Sequence, residues 1–372
     1  MKIVMFYHSL VSDWNHGNAH FLRGVVRELQ GRKHQVVVYE PENGWSLQSL
    51  LSEQGRDGLD AFHRAYPDLV SSFYVPHSLD LGRALEGADL VIVHEWTDPA
   101  LVRRIGRHRD RFGNYQLLFH DTHHRLLSAP ETVPLDDLCP YDGVLTFGSA
   151  LREAYLAHGW NRNVWVWREA ADISVFHPPA SEVRDREGDV VWIGNWDEEK
   201  NAKMSDLFVA PVRSLGVRAL CYGVGYPETA LRQLQTAGIA YRGWLPSFWV
   251  PQVYARFRVT IHLAEQPHRN QAMGVSMMRP FEALACGIPL ISTSRDEEGL
   301  FRAGSDYLVA ADRQAMMRQL GSVLADDELA DSLSRHGRQA ILARHTVRHR
   351  VDQLLAIYHQ LCPAEASNEL AS

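Results

Sequence analysis

Short apolar runs recur along the chain, separated by stretches with helical spacing. KIVMFY comes first, and Phe21, Leu22, Val25, Val26 and Leu29 then mark one face of a helix. QVVVYE, ADLVIVHEW, YQLLFHD, DGVLTFG and NVWVW read as further strands. These runs lack polar–apolar alternation, which suits strands covered on both faces, as in a parallel sheet. Residues 40–75 break the pattern and are expected to be an irregular local elaboration. Around HPPASEVRDREGD (His177–Asp189) the chain turns polar and Pro-containing, as linkers do. Alternation then restarts with DVVWIGN, VRALCYG, IAYRG, RVTIHLA, IPLIS and DYLVA, and ends in helical stretches through RQAILARH and HRVDQLLAIYHQL.

Two consecutive runs of βα units imply an α/β protein of two doubly wound domains rather than one large sheet. The expected boundaries are 1–180 and 181–345, with 346–362 a helix crossing back to the first domain and 363–372 a disordered tail. Such sheets bind ligands beyond the carboxyl ends of their strands, and two facing domains would place a cleft there.

Composition narrows the classes. At 372 residues, 45% apolar and 22% charged, the chain is that of an ordinary globular protein with room for two cores. A net charge of -7 argues against a general nucleic-acid binder. Cys139, Cys221, Cys286 and Cys362 are widely spaced and fit reduced thiols in a cytoplasmic protein. No apolar run approaches the roughly 18 residues a membrane span requires. Arg103, Arg104, Arg107, Arg109 and Arg111 cluster in one helix, where a solvated face is favoured over peripheral contact with anionic lipid.

Candidate chemistry lies just after the strands. Gly17 and Asn18 lie just before a helix whose first amides are free to meet an anion or a sugar hydroxyl. His120, Asp121, His123 and His124 end one strand. With 19 histidines in the chain and no H-E-x-x-H spacing, a metal site is the lesser reading of this cluster, and none is assigned. Gly194 allows close backbone approach in WIGNWDEEKNAKM, and Lys200 supplies a cation suited to a diphosphate. The sole G-x-G, in GVGYPE, lacks its third glycine and is discounted as a dinucleotide fingerprint. In AEQPHRNQAMGVSMMRPFEALACGIPLIS, a loop with Gly274 and Val275 leads into a helix starting near Met278 or Arg279. Arg279 adds a guanidinium near the helix N-terminus, and Glu282 stands one turn in, where a carboxylate can accept two ribose hydroxyls. The competing reading of Glu282 is a solvated helix position. As a cleft residue, it is expected to carry binding and not stability.

RPFEALACGIPLIS resembles the donor-site helix of two-Rossmann (GT-B) glycosyltransferases, usually E-x7-E-A-x-A-x-G-x-P-V-I. LVIVHEWTDP, REAADISVFHP, YRGWLPSFWVPQVYARFRVTIHLA and FRAGSDYLVA are similar to further segments of that family, in order, and together cover nearly the whole chain. NHGNAH and AMG…RPFEALACG resemble the CgeB-like, spore-maturation branch. The resemblance implies a GT-B fold and a retaining, metal-independent sugar transfer from a UDP- or GDP-sugar, with no further cofactor. It implies that Glu282 binds the donor ribose and that His120, with Asp121, lies near the transferred sugar. Gly17, Asn18, Gly194, Asn195, Lys200, Gly243, Trp244, Gly274, Val275, Met278 and Arg279 would line the donor. Gly274 stands where the first glutamate of E-x7-E would be, and Asn195 where several members carry arginine. A nucleotide-sugar epimerase and a non-catalytic nucleotide-sugar binding module are the alternatives. The acceptor is open among glycan, protein, lipid and small molecule, with nucleic acid not expected.

Overall fold

The computed structural model describes residues 1–123, 125–133, 135–160, 162–180, 185–196, 202–264, 278–296 and 298–362. Its described chain falls into two compact units, 1–169 with 347–362, and 170–264 with 278–346.

The first unit is built on a seven-stranded sheet. Its strands are β1 (Lys2–Phe6), β2 (Gln35–Pro41), β3 (Ser71–Tyr74), β4 (Leu90–His94), β5 (Gln116–Asp121), β6 (Gly143–Thr146) and β7 (Asn163–Val166). They lie in the order β3-β2-β1-β4-β5-β6-β7, with every pairing parallel. Ile3, Val4, Met5 and Phe6 of β1 are wholly buried, as a central strand covered on both faces requires. Helix Asn18–Gly31 turns Phe21, Leu22, Val25, Val26 and Leu29 inward. The terminal helix Val347–Leu361 belongs to this unit. Trp167 Nε1 donates to the Arg350 carbonyl at 2.9 Å, Gln353 Nε2 to the Val166 carbonyl at 2.7 Å, and Arg32 pairs with Asp352 at 2.6 Å.

Residues 40–75 are ordered secondary structure, contrary to the irregular elaboration expected there. Helix Trp45–Ala65 buries only Ser46, Leu47, Leu50, Gly58 and Phe62, and Gly55 (φ 60°) interrupts it. Edge strand β3 buries only Tyr74 of its four residues. An interrupted helix on a mostly solvated surface and a short edge strand leave little periodicity to read.

The second unit carries a six-stranded parallel sheet of β8 (Val190–Ile193), β9 (Ala219–Tyr222), β10 (Ala240–Tyr241), β11 (Val259–His262), β12 (Leu290–Ser292) and β13 (Leu308–Val309). Their order is β10-β9-β8-β11-β12-β13. Both sheets therefore have the doubly wound order, reversing between β1 and β4 in one and between β8 and β11 in the other. The ligand-binding positions of this fold lie beyond the carboxyl ends of those strands. Among the described residues, no helix is long and apolar enough to cross a membrane.

In the arginine-rich helix Pro99–Phe112, Arg107 and Arg111 are exposed, as on a solvated face, while three other arginines have partners. Arg103 pairs with Asp137 at 3.0 Å, Arg104 donates to the carbonyls of Pro76 and Leu79, and Arg109 bonds the Gly113 carbonyl and Asp142.

Candidate functional site

In the first unit, the loop after β1 is held by buried charge. Glu40 Oε1 accepts from the amides of Leu10 and Val11 and from Ser9 Oγ. Burial pushes this carboxyl up, and those three donors oppose the shift. Arg23, 1% exposed, donates to the carbonyls of Leu10 and Val11 at 2.8 Å each and to Asp13 Oδ2 at 2.9 Å. Its guanidinium sits 4.8 Å over the Phe62 ring. The loop is thus fixed from below before any ligand arrives, which lowers the entropy cost of binding.

That loop ends at Gly17, the helical residue preceding helix Asn18–Gly31, where no side chain caps the helix. Asn18 is buried, with Nδ2 3.5 Å from Glu169 Oε1. Its Oδ1 and His16 Nε2 are buried without hydrogen-bond partners among the described residues. Unpaired buried polar atoms at a helix N-terminus are costly, and a ligand hydroxyl would satisfy them.

Histidines gather at the same end of the sheet. His94 of β4 stacks on Tyr7 at 4.8 Å, and the His120 ring of β5 lies 5.4 Å from His94 and 4.9 Å from Trp167. His94 Nδ1 accepts from the Trp96 amide at 3.3 Å, so its proton is on Nε2, which donates to Thr122 Oγ1 at 3.0 Å. Tyr7 OH meets His120 Nδ1 at 2.6 Å. Burial raises the Tyr7 phenol, which therefore stays protonated and donates, leaving the His120 proton on Nε2. Burial also lowers His120 to about 3, His16 to about 3 and His8 to about 4, so these rings are neutral near pH 7.

His120 and Asp121, both expected at the reacting centre, face opposite sides of β5, as adjacent strand residues must. Asp121 turns toward the helix side, where Oδ2 accepts from Tyr155 OH at 2.7 Å and Oδ1 from the His123 amide at 3.1 Å. Burial, with Glu95 nearby, pushes Asp121 up to about 8. It lines a largely apolar cavity of about 100 Å³ with Glu95, Arg125 and Phe119. Asp121 is therefore an interior hydrogen-bonding group apart from the histidines, and His124 lies outside the described residues. Among the described residues, no group of three His, Cys, Asp or Glu side chains is arranged to hold a metal ion.

In the second unit, the carboxyl ends of β8, β9 and β10 are joined through glycines. A Cβ on Gly223 would come within 1.9 Å of the Gly194 carbonyl oxygen, and one on Gly194 within 2.8 Å of the Trp192 ring. Gly194 N donates to the Tyr222 carbonyl at 2.9 Å, and Gly223 N to the Gly243 carbonyl at 2.8 Å. Asn195 Oδ1 accepts from the Val224 amide at 3.1 Å. Gly194, Asn195 and Gly243 thus belong to one bonded backbone assembly, with half-buried Trp244 directly after it. The dismissed GVGYPE run is what makes this approach sterically feasible. It serves the backbone without being a dinucleotide fingerprint.

Helix Met278–Cys286 is buried along nearly its whole length, Met278 included. Glu282 is 0% exposed, and its Oε2 lies 2.7 Å from Arg279 Nη1. This overturns both the solvated reading and the expectation that Glu282 has no part in stability, because a fully buried carboxylate must be paired to remain charged. Arg279 is partly exposed and engaged with Glu282, so it is not an idle cation. His262 and Ser292, bonded at 3.1 Å, line a small cavity beside Pro280 of the same helix. Lys200, Gly274 and Val275 lie outside the described residues.

Residues 201–356 match the model of a family described as glycosyl transferase-like. Among curated protein sequences, none matches the chain. Solved structures show the fold to be that of GT-B glycosyltransferases. Anabaena HepE, crystallised in complex with UDP, matches over 97% of this chain and 100% of its own, with a TM-score of 0.67 at 14% identity. An alpha-glucosyltransferase in complex with UDP-glucose and DNA containing an abasic site matches over 96% and 99%, with a TM-score of 0.72 at 13% identity. A glycosyltransferase from Rickettsia africae matches over 98% and 99%, with a TM-score of 0.66 at 12% identity.

Proposed function

We propose that the protein is a glycosyltransferase that moves a sugar from a UDP-sugar to an acceptor, with retention of configuration and without a metal ion. The observation that carries this reading is the glycosyl transferase-like match over 201–356, a segment that contains the Arg279–Glu282 helix. The UDP and UDP-glucose bound by relatives of the same fold support uridine over other bases.

In this reading Glu282 accepts hydrogen bonds from the donor ribose hydroxyls. Arg279, which meets that carboxylate now, turns to the diphosphate as the ribose replaces it. The amides around Gly194 and Gly243 line the remainder of the donor, and the family resemblance adds Lys200, Gly274 and Val275 to that role. Gly17 and Asn18 offer the first amides of their helix to the leaving group or to a sugar hydroxyl. His120 presents a neutral Nε2–H toward the transferred sugar. The diphosphate oxygen leaves as the acceptor hydroxyl attacks the same face of the anomeric carbon, and the departing diphosphate takes the acceptor proton. Stabilisation of the developing diphosphate charge by backbone and cationic donors is the main catalytic contribution.

Incubation with UDP-glucose, UDP-galactose, UDP-N-acetylglucosamine and GDP-mannose, each with and without an acceptor array, tests this by product mass and anomeric NMR. Acceptor-dependent release of UDP with a retained α-linkage, undiminished by EDTA, is expected. Epimerised donor, or binding without turnover, overturns it.

A further inference from the structure

Two of the few exposed large apolar side chains in the first unit stand together. Trp45, 38% exposed, and Trp96, 43% exposed, have ring centroids 6.4 Å apart at 63°. Trp45 follows β2 and opens its helix, while Trp96 follows β4. Their floor is His8, directly after β1, which stacks under Trp45 at 4.8 Å and 24° and lies 6.2 Å from Trp96. His16 meets His8 edge-on at 5.1 Å. All four rings therefore lie where the strand order reverses between β1 and β4, the binding position of a doubly wound sheet.

Three properties restrict what this place can hold. The indole surface that Trp45 and Trp96 leave open to water, beyond what His8 and Arg125 cover, favours a ligand with an apolar face of ring size. The His16 Nε2 atom, buried and unpartnered among the described residues, calls for a hydroxyl or amide beside that face. Charge is the third. His8 and His16 are held neutral by burial, and the nearby Arg125 is already paired with Glu95 at 2.8 Å while lying 5.2 Å over the Trp96 ring. A phosphate backbone would find no uncommitted cation among these residues, and its binding depends on such neutralisation. A pyranose has both features required, C–H faces to stack on indole and hydroxyls around its rim.

We infer that Trp45 and Trp96, with the buried His8 bracing Trp45 from beneath, form a stacking platform for an uncharged carbohydrate ring, with His16 bonding one of its hydroxyls. Only the naming of that carbohydrate as the acceptor rests on the transferase reading; the platform itself does not.

The full chain is titrated, without donor, with maltose, cellobiose and N,N′-diacetylchitobiose, and separately with a single-stranded oligonucleotide, by saturation-transfer NMR. UDP binding is measured on the same samples. At least one disaccharide should bind, the oligonucleotide should not, and Trp45→Ala and Trp96→Ala should each weaken the disaccharide about ten-fold, or roughly 1.4 kcal/mol. Trp96→Phe should retain most of the affinity, and UDP binding should be unchanged in all three variants. Disaccharide binding without UDP binding leaves the platform standing and removes the donor reading. UDP binding with no disaccharide bound, equal disaccharide affinity in both alanine variants, or oligonucleotide binding lost with the tryptophans overturns the platform.

Discussion

Arg279 Nη1 lies 2.7 Å from Glu282 Oε2, one helical turn apart, and the carboxylate is sealed from water while the arginine is partly exposed. Taking one partner from a buried pair leaves the other uncompensated, a loss of about 3–5 kcal/mol. Glu282→Ala should therefore lower stability as well as nucleotide affinity. Glu282→Gln keeps one acceptor and should lose less stability, but at least ten-fold in UDP affinity. The joint variant Arg279→Met with Glu282→Leu separates the two roles, since an apolar pair can restore stability without restoring a ribose acceptor. Chemical denaturation and UDP calorimetry on all variants test this. A double variant that binds UDP like wild type would remove Glu282 from the donor site.

The glycines of the second unit should differ sharply in their tolerance of a methyl group. At Gly223, φ is 149° and a Cβ would press against the Gly194 carbonyl at 1.9 Å, a contact that only backbone movement can relieve. Gly243 also has positive φ, 74°, but nothing lies within 4 Å of its Cβ position. Gly243→Ala should cost about 1 kcal/mol from backbone conformation alone. Gly223→Ala should cost several-fold more and part the ends of β8 and β9. Melting curves of the two variants suffice, and equal losses would refute the close-approach account.

The contrast with the sequence reading follows from where information is local. Continuous runs such as VVWI and LVIVH announce buried parallel strands, and both sheets were legible from them. Helix Trp45–Ala65 was not, because Gly55 breaks its period and its outer face is water-exposed. Strand alternation places the adjacent His120 and Asp121 on opposite faces of β5, a signal already present in the sequence. The burial of Glu282 was hidden for a different reason. The helix is apolar on every side and only tertiary packing decides which residues lose water. Trp45 and Trp96 are 51 positions apart in sequence and meet only because β1 separates the strands that precede them.

Buried neutral histidines make stability depend on pH in a definite direction. His16 titrates near 3 in the folded protein and near 6.5 when unfolded, so the unfolded chain binds one more proton between those values. Its contribution is present above pH 6.5 and is lost as pH falls toward 3. Each pH unit within that window changes stability by roughly 1.4 kcal/mol per proton. His16→Gln should therefore lose about 2–3 kcal/mol less than wild type between pH 6.5 and 4.5 in urea denaturation. Parallel pH profiles for the two proteins would show that His16 is solvated or charged in the fold.

Tyr7 and His120 provide the sharpest test of the first unit, because one hydrogen bond fixes a tautomer. The phenol donates to Nδ1 at 2.6 Å and confines the imidazole proton to Nε2. Tyr7→Phe removes that donor and leaves a buried nitrogen unpaired, a loss of roughly 1–3 kcal/mol. If Nε2–H faces the transferred sugar, the variant should also lower kcat while UDP affinity stays near wild type, since the residues proposed to bind ribose and base belong to the other unit. Imidazole ¹⁵N shifts report the tautomer directly: wild type should show protonated Nε2 alone, and Tyr7→Phe a mixture. His120→Gln, which can donate from its amide, should retain more turnover than His120→Ala. A Tyr7→Phe protein that is destabilised, with mixed tautomers and undiminished kcat, would leave His120 a packing residue and move the reacting centre elsewhere.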